Sequence, residues 1–159
     1  MTKFIDGNIA DVIITELKKY QDQRGWLAEL FREDEIAAEF FPVMAYISIT
    51  LPGIARGPHE HVDQADYFCF LGPGNFKIYL WDNRPHSPTY SYKQIFIAGE
   101  QQPQAVIVPK GVVHAYQNVS DEPGMVINCT NRLYKGAGRQ AEIDEIRHEH
   151  DPETSFKLN

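Results

Sequence analysis

Residues 53–68, GIARGPHEHVDQADYF, combine an arginine, two histidines and two aspartates with the start of an apolar run. His59 and His61 are two residues apart. On an extended strand, side chains alternate with a period of two, so both imidazoles project from one face. Asp66 follows where the same stretch or its neighbour turns a carboxylate toward them, completing a set of two imidazoles and one carboxylate that suits a divalent metal. Two histidines facing inward from a strand need a β framework to face into, and the rest of the chain supplies one.

Short runs rich in Val, Ile, Tyr and Phe recur on both sides: VIITEL (12–17), GWLAELF (25–31), VMAYISITL (43–51), YFCFLG (67–72), FKIYLW (76–81), YKQIFIAG (92–99), AVIVP (105–109), AYQNV (115–119) and MVINCT (125–130). Turn-forming segments separate them, among them LPG at 51–53, GPGN at 72–75, DNRPHSPT at 82–89, PKG at 109–111 and DEPG at 121–124. Short strands at this spacing predict an all-β sandwich or barrel. The spacing of Ile36, Ala37, Phe40 and Phe41, with Pro42 ending the run, predicts one helix over 33–41 that plugs an end of the sandwich. From Tyr134 the apolar pattern thins, and residues 135–159 read as a surface tail with one short helix at most. No internal repeat or low-complexity tract interrupts the pattern, so residues 1–159 read as a single domain.

A second histidine pattern follows in PKGVVHAYQN, residues 109–118. Together the two patterns resemble those of the cupin superfamily. Gly53, His59, His61 and Asp66 match its first motif, with Asp66 where cupins usually carry Glu. Pro109, Gly111, His114 and Asn118 match its second, with Pro103 where that motif would open on Gly. The pair, in this order, implies a cupin-type double-stranded β-helix, or jelly roll. A narrower resemblance covers most of the chain: DQRGWLAELFRED (22–34), YISITLPGIARGPHEH (46–61), DNRPHSPTY (82–90) and IVPKGVVHAYQNVSD (107–121) are similar to successive blocks of the dTDP-4-dehydrorhamnose 3,5-epimerase family. This implies an RmlC-like cupin in which Arg24 and Glu29 bind the nucleotide, Arg56 binds phosphate, His59 is the base and His114 touches substrate. It also implies a homodimer, in which VIITEL could complete a partner's sheet edge.

The implied chemistry is proton transfer. Hydrogens on carbons next to a keto group are acidified by enolate formation, so an imidazole can remove and return them. The family's lysine position falls at or beside Tyr67 and its late-strand tyrosine near 127–129, which points to a divergent branch. His-x-His after Arg-Gly also resembles the dTDP-sugar 3,4-ketoisomerases, in which both histidines move protons; on that reading His61 is a second acid or base, with Tyr67 or Tyr46 as phenolic partner. No cofactor is expected for either activity. The alternatives are a metal-dependent cupin enzyme holding one divalent ion through His59, His61, Asp66 and His114, and a non-catalytic sugar-nucleotide or carbohydrate binding module. His86, His148 and His150 read as solvated, while Trp26 and Trp81 are open to stacking on a ligand or to packing.

Composition narrows the partners. The formal net charge of -7 over 159 residues offers no basic surface for a nucleic acid. No apolar stretch reaches the roughly 18 residues of a membrane span, and the N-terminus lacks a signal peptide's pattern, so a cytoplasmic location is expected. Cys69 and Cys129, each inside an apolar run, read as buried free thiols.

Overall fold

The computed structural model describes residues 3–159. Its strands are β1 (Ile5–Asp6), β2 (Ile13–Glu16), β3 (Tyr20–Asp22), β4 (Gly25–Leu27), β5 (Met44–Thr50), β6 (Ala55–Glu60), β7 (Asp66–Phe70), β8 (Asn75–Asp82), β9 (Tyr92–Gly99), β10 (Gln104–Val108), β11 (Val112–Asn118), β12 (Gly124–Thr130) and β13 (Ile146–Arg147). One sheet runs β1-β9-β8-β11-β6-β13 and the other β2-β10-β7-β12-β5, with β3 and β4 forming a separate hairpin. Apart from the parallel β1–β9 pair, neighbours are antiparallel. This is the all-β sandwich the strand spacing predicts, in the jelly-roll form the motif resemblance implies.

Period-two alternation sorts each strand's side chains. Phe68 and Phe70 of β7, Val106 and Val108 of β10, and Phe76, Ile78 and Leu80 of β8 meet between the sheets. Each such side chain contributes about 1.5–3 kcal/mol by leaving water. The intervening residues are apolar too, because both sheets are also covered outside. Tyr67, Cys69, Ala105, Ile107 and Cys129 face outward against Leu17, Ala28, Leu30, Ile36 and Phe40. Tyr79, Trp81, Val113 and Ala115 face outward on the other sheet, against Phe156 with Phe4 and Leu158. Both cysteines are buried and free.

The expectations for the helix, the tail and His148 are revised. The helix over 33–41 shrinks to a 3-10 turn at Ala38–Phe40. So short a segment lies below the roughly 12–15 residues at which a helix sustains itself, and its apolar side chains find cover without one. A second such turn lies at Ala137–Arg139. VIITEL pairs with β10 on one side and stands at the edge of its sheet with the other side open, the position its expected role at a partner's sheet edge requires. Residues 135–159, read as a surface tail, add β13 to the edge of the six-stranded sheet beside β6. They also bury Phe156 against Trp81, which rules Trp81 out as a stacking platform. His148 is likewise not solvated, since its Nε2 lies 2.8 Å from Glu60 Oε1 and its ring packs on Phe156.

Candidate active site

Strand β6 is irregular where it carries the site. Against β11, His59 pairs with His114 and Arg56 with Tyr116, so β6 spends one residue more than β11 between the same two contacts. That bulge places Arg56 and His59, three apart, on one face. Gly57 makes it possible: its φ is +83°, and a Cβ there would sit 2.5 Å from the His114 carbonyl oxygen. The face opens on a cavity of about 950 Å³ lined by Tyr46, Ser48, Arg56, His59, His61 and Glu145, among others. Arg56 donates to Thr50 Oγ1 at 3.0 Å and to the Ile49 carbonyl at 2.8 Å. Its guanidinium is thereby held at the cavity wall.

His59 and His61 at the cavity wall come together with the buried Asp66 and His114 behind them, one donor atom of each within 4.8 Å of the others. Asp66 Oδ2 lies 3.1 Å from His61 Nε2 and 3.0 Å from His114 Nε2. Asp66 Oδ1 accepts from Gln64 Nε2 at 2.9 Å and Asn128 Nδ2 at 2.8 Å. Burial works to raise the Asp66 carboxyl, but the His114 and His61 imidazoles outweigh it and hold the group well below its usual range. Burial works to lower His61, and the Asp66 carboxylate overrides it, pushing the imidazole up to about 9. His59 is pressed down to about 2, first by burial and then by the neighbouring His114 imidazole. It is therefore neutral, with Glu145 Oε1 3.7 Å from its Nε2.

The other residues singled out from the sequence lie elsewhere. Tyr67 follows Asp66 on β7 and so points to the opposite face of the sheet, where its hydroxyl donates to the Leu30 carbonyl at 2.7 Å. Alternation removes it from the catalytic set. Arg24 sits in the turn of the β3–β4 hairpin with 82% of its side chain exposed, paired with Asp22. Glu29 lines a separate groove of about 290 Å³ beside Lys18, Tyr20 and Tyr67. Within one chain, neither reaches the cavity of His59.

Tertiary contacts add partners that sequence spacing hid. Tyr46 on β5 stands directly across from Asn128 on β12, and Asn128 Nδ2 donates to its hydroxyl at 2.9 Å. Asp144 accepts the backbone N–H groups of Val62, Asp63 and Gln64 at 2.8, 2.9 and 2.7 Å, clamping the loop between the two strands of the site. Glu145 and Asp144 are about eighty residues from the groups they touch and sit in a stretch that reads as solvated charge. No local pattern marks them.

Residues 6–154 match the family described as dTDP-4-dehydrorhamnose 3,5-epimerase. A probable low-salt glycan biosynthesis epimerase, Agl13, of Haloferax volcanii is 37% identical over 128 residues, covering 80% of this chain and 81% of the relative. The spore coat polysaccharide biosynthesis protein SpsL of Bacillus subtilis is 34% identical over 130 residues, covering 82% of each. Among solved structures, a dTDP sugar isomerase from Desulfovibrio desulfuricans shares the fold, with a TM-score of 0.77 at 21% identity over 91% of this chain and 87% of that one.

Proposed function

The chain belongs to the dTDP-4-dehydrorhamnose 3,5-epimerase family, and from that premise we propose that it epimerises or isomerises a nucleotide-linked 4-keto-6-deoxy sugar, dTDP being the nucleotide, with His59 as the base. The observation that carries this reading is the placement of Arg56 and His59 on one face of β6, at the wall of one wide cavity. A guanidinium suits a diphosphate through its planar set of donors. A neutral imidazole beside it suits a hydrogen made acidic by the keto group.

In this mechanism His59 takes the proton from the carbon next to the keto group, leaving an enolate, and becomes an imidazolium. Glu145, 3.7 Å from Nε2, stabilises that charge as it forms. Tyr46 returns a proton from the other side. Burial raises its phenol above the usual range, which keeps it protonated and makes it a donor. His61 faces the sugar from the cavity wall, with His114 buried behind it. The reading needs no cofactor.

A homodimer completes the site. Arg24 and Glu29, in the block that implies nucleotide binding, lie outside their own chain's cavity, so a second copy brings its β3–β4 hairpin to the mouth. The face that would join the copies is the outer side of β5, where Ile47 and Ile49 are 63% and 52% exposed beside Ile127 and Met125.

Incubating the protein with a dTDP-4-keto-6-deoxyhexose in deuterium oxide tests the proton chemistry. Deuterium is expected at C3, C5 or both, at a rate lowered roughly 10²–10⁴-fold in His59→Ala. Unchanged exchange in that variant would remove His59 as the base. Binding without any exchange in the wild type would leave a binding module.

A further inference from the structure

Asn128 on β12 is 1% exposed and stands between Phe68 of β7 and Tyr46 of β5. Its Oδ1 accepts the Tyr67 backbone N–H at 3.1 Å. Its Nδ2 donates to Asp66 Oδ1 at 2.8 Å and to the Tyr46 hydroxyl at 2.9 Å. A polar side chain buried this deeply in a sheet is kept there by its partners, and here one of them is the phenol assigned to proton return.

The bond from Tyr67 fixes the sense of the other two. A backbone N–H only donates, so the amide atom that faces it is the oxygen, and the opposite atom is the NH2 group. That group carries two hydrogens, and the Asp66 carboxylate and the Tyr46 hydroxyl take one each. The phenol oxygen is therefore the acceptor toward Asn128, and its own hydrogen points away from the amide. Among the described residues nothing accepts that hydrogen, and Tyr46 lines the cavity. Tyr116 also lines the cavity but differs, since its hydroxyl is already shared with Ser48 Oγ at 3.1 Å. Tyr46 belongs to the five-stranded sheet and His59 to the six-stranded one, so a sugar in the cavity meets base and phenol from opposite walls.

We propose that Asn128 is a positioning residue for proton return: by donating to the phenol oxygen it turns the Tyr46 O–H toward the sugar. This rests on the reading of Tyr46 as the proton donor. In the step it serves, the Tyr46 O–H bond breaks, a C–H bond forms at the enolate carbon, and the phenolate regains a proton from water. The negative charge appears on the oxygen that Asn128 already contacts, and a donor fixed in advance stabilises it without reorganisation. The residue type is thus set by the direction of its hydrogens. Asn128→Asp keeps the size and the acceptor for the Tyr67 N–H, but it offers the phenol an acceptor and draws the hydrogen away from the cavity. Asn128→Ala leaves the hydroxyl free to rotate.

The incubation with a dTDP-4-keto-6-deoxyhexose in deuterium oxide tests this when two quantities are read from it. Deuterium in recovered sugar of unchanged configuration reports proton removal and return by His59, and product formed per exchange reports return by Tyr46. In Asn128→Ala and, separately, Asn128→Asp, exchange is expected to stay within about threefold of the wild type while product per exchange falls roughly 10-fold or more. Tyr46→Phe should give the same split. Adding Asn128→Ala to Tyr46→Phe should then change product per exchange by less than about twofold, because a residue that acts through the phenol has nothing left to act on. Circular dichroism shows whether each Asn128 variant is folded, and either folded variant suffices. Exchange and product falling together in a folded variant would make Asn128 part of the framework only and overturn the proposal. An unchanged ratio of product to exchange overturns it too, as does a further fall in the double variant. Absence of exchange in the wild type is a separate failure, which removes the proton-transfer reading itself and this inference with it.

Discussion

At the scale of single residues, Asp82 shows how a family-like block can serve the framework rather than the site. Its carboxylate accepts from Arg84 Nε at 2.8 Å, Ser87 Oγ at 2.5 Å and Thr89 Oγ1 at 2.6 Å, tying down the loop from β8 to β9 that contains DNRPHSPTY. Burial works to raise this carboxyl, but the bonds from Arg84, Ser87 and Thr89 outweigh it and bring it to about 2. A carboxyl depressed in the folded state stabilises the protein above its unfolded value and loses that contribution as pH falls through the folded one. The Asp82→Asn variant should therefore melt well below the wild type near neutrality, with the gap closing between about pH 4 and about pH 2. A gap that stays constant over that window would refute the assignment. The same scale separates what the sequence revealed of the site from what it did not. His59, His61 and Asp66 were legible because their spacings have a direct meaning on strands, and His114 because its motif resembles the second cupin block. Tyr67 was misread because one step along a strand reverses the face, and spacing alone did not say which face looked inward.

At the scale of elements, β6 and the segment after Ala141 form one unit. β13 pairs with β6 through Ile146–Glu60 and Arg147–His59. The Asp144 and Glu145 side chains reach the 61–64 loop and His59. Replacing Asp144 by Ala removes three charge-assisted bonds to backbone N–H groups. That should cost about 2–3 kcal/mol, read as a lower urea midpoint at unchanged slope, and should speed amide exchange over 62–64. A change within the roughly ±0.5 kcal/mol of ordinary surface substitutions would show that the tail does not hold the loop. The longer strands were legible in the sequence as runs rich in Val, Ile, Tyr and Phe, β2 and β5 at the edges of their sheet included. β1, β3 and β13 were not, since two- or three-residue edge strands carry no periodicity.

At the scale of the whole molecule, the outer face of the five-stranded sheet is only partly covered. Residues 28–40 shield β10 and β7, while the outward side of β5 stays open, with Ile47 and Ile49 exposed. Sedimentation is expected to show a dimer at roughly tens of micromolar, and Ile47→Lys with Ile49→Lys should yield monomers with weakened dTDP binding. A wild-type monomer, or monomers that bind dTDP as tightly as the parent, would contradict the shared site.

The sequence by itself determined the all-β fold, the family and the cluster of histidines with Asp66. The fold follows from alternation and turn chemistry and the His59–His61 pair from a spacing of two, all of them local, while the family and the place of His114 beside the pair follow from the resemblance of whole motif blocks. Only the tertiary structure decided which faces meet: the β6 bulge at Gly57 that turns Arg56 to the side of His59, the Asn128–Tyr46 pair across two strands, Asp144 and Glu145 arriving from far along the chain, and the distance of Arg24 from the cavity. Each depends on register between segments remote in sequence, and register is set by packing and long-range hydrogen bonds that no short window of residues contains.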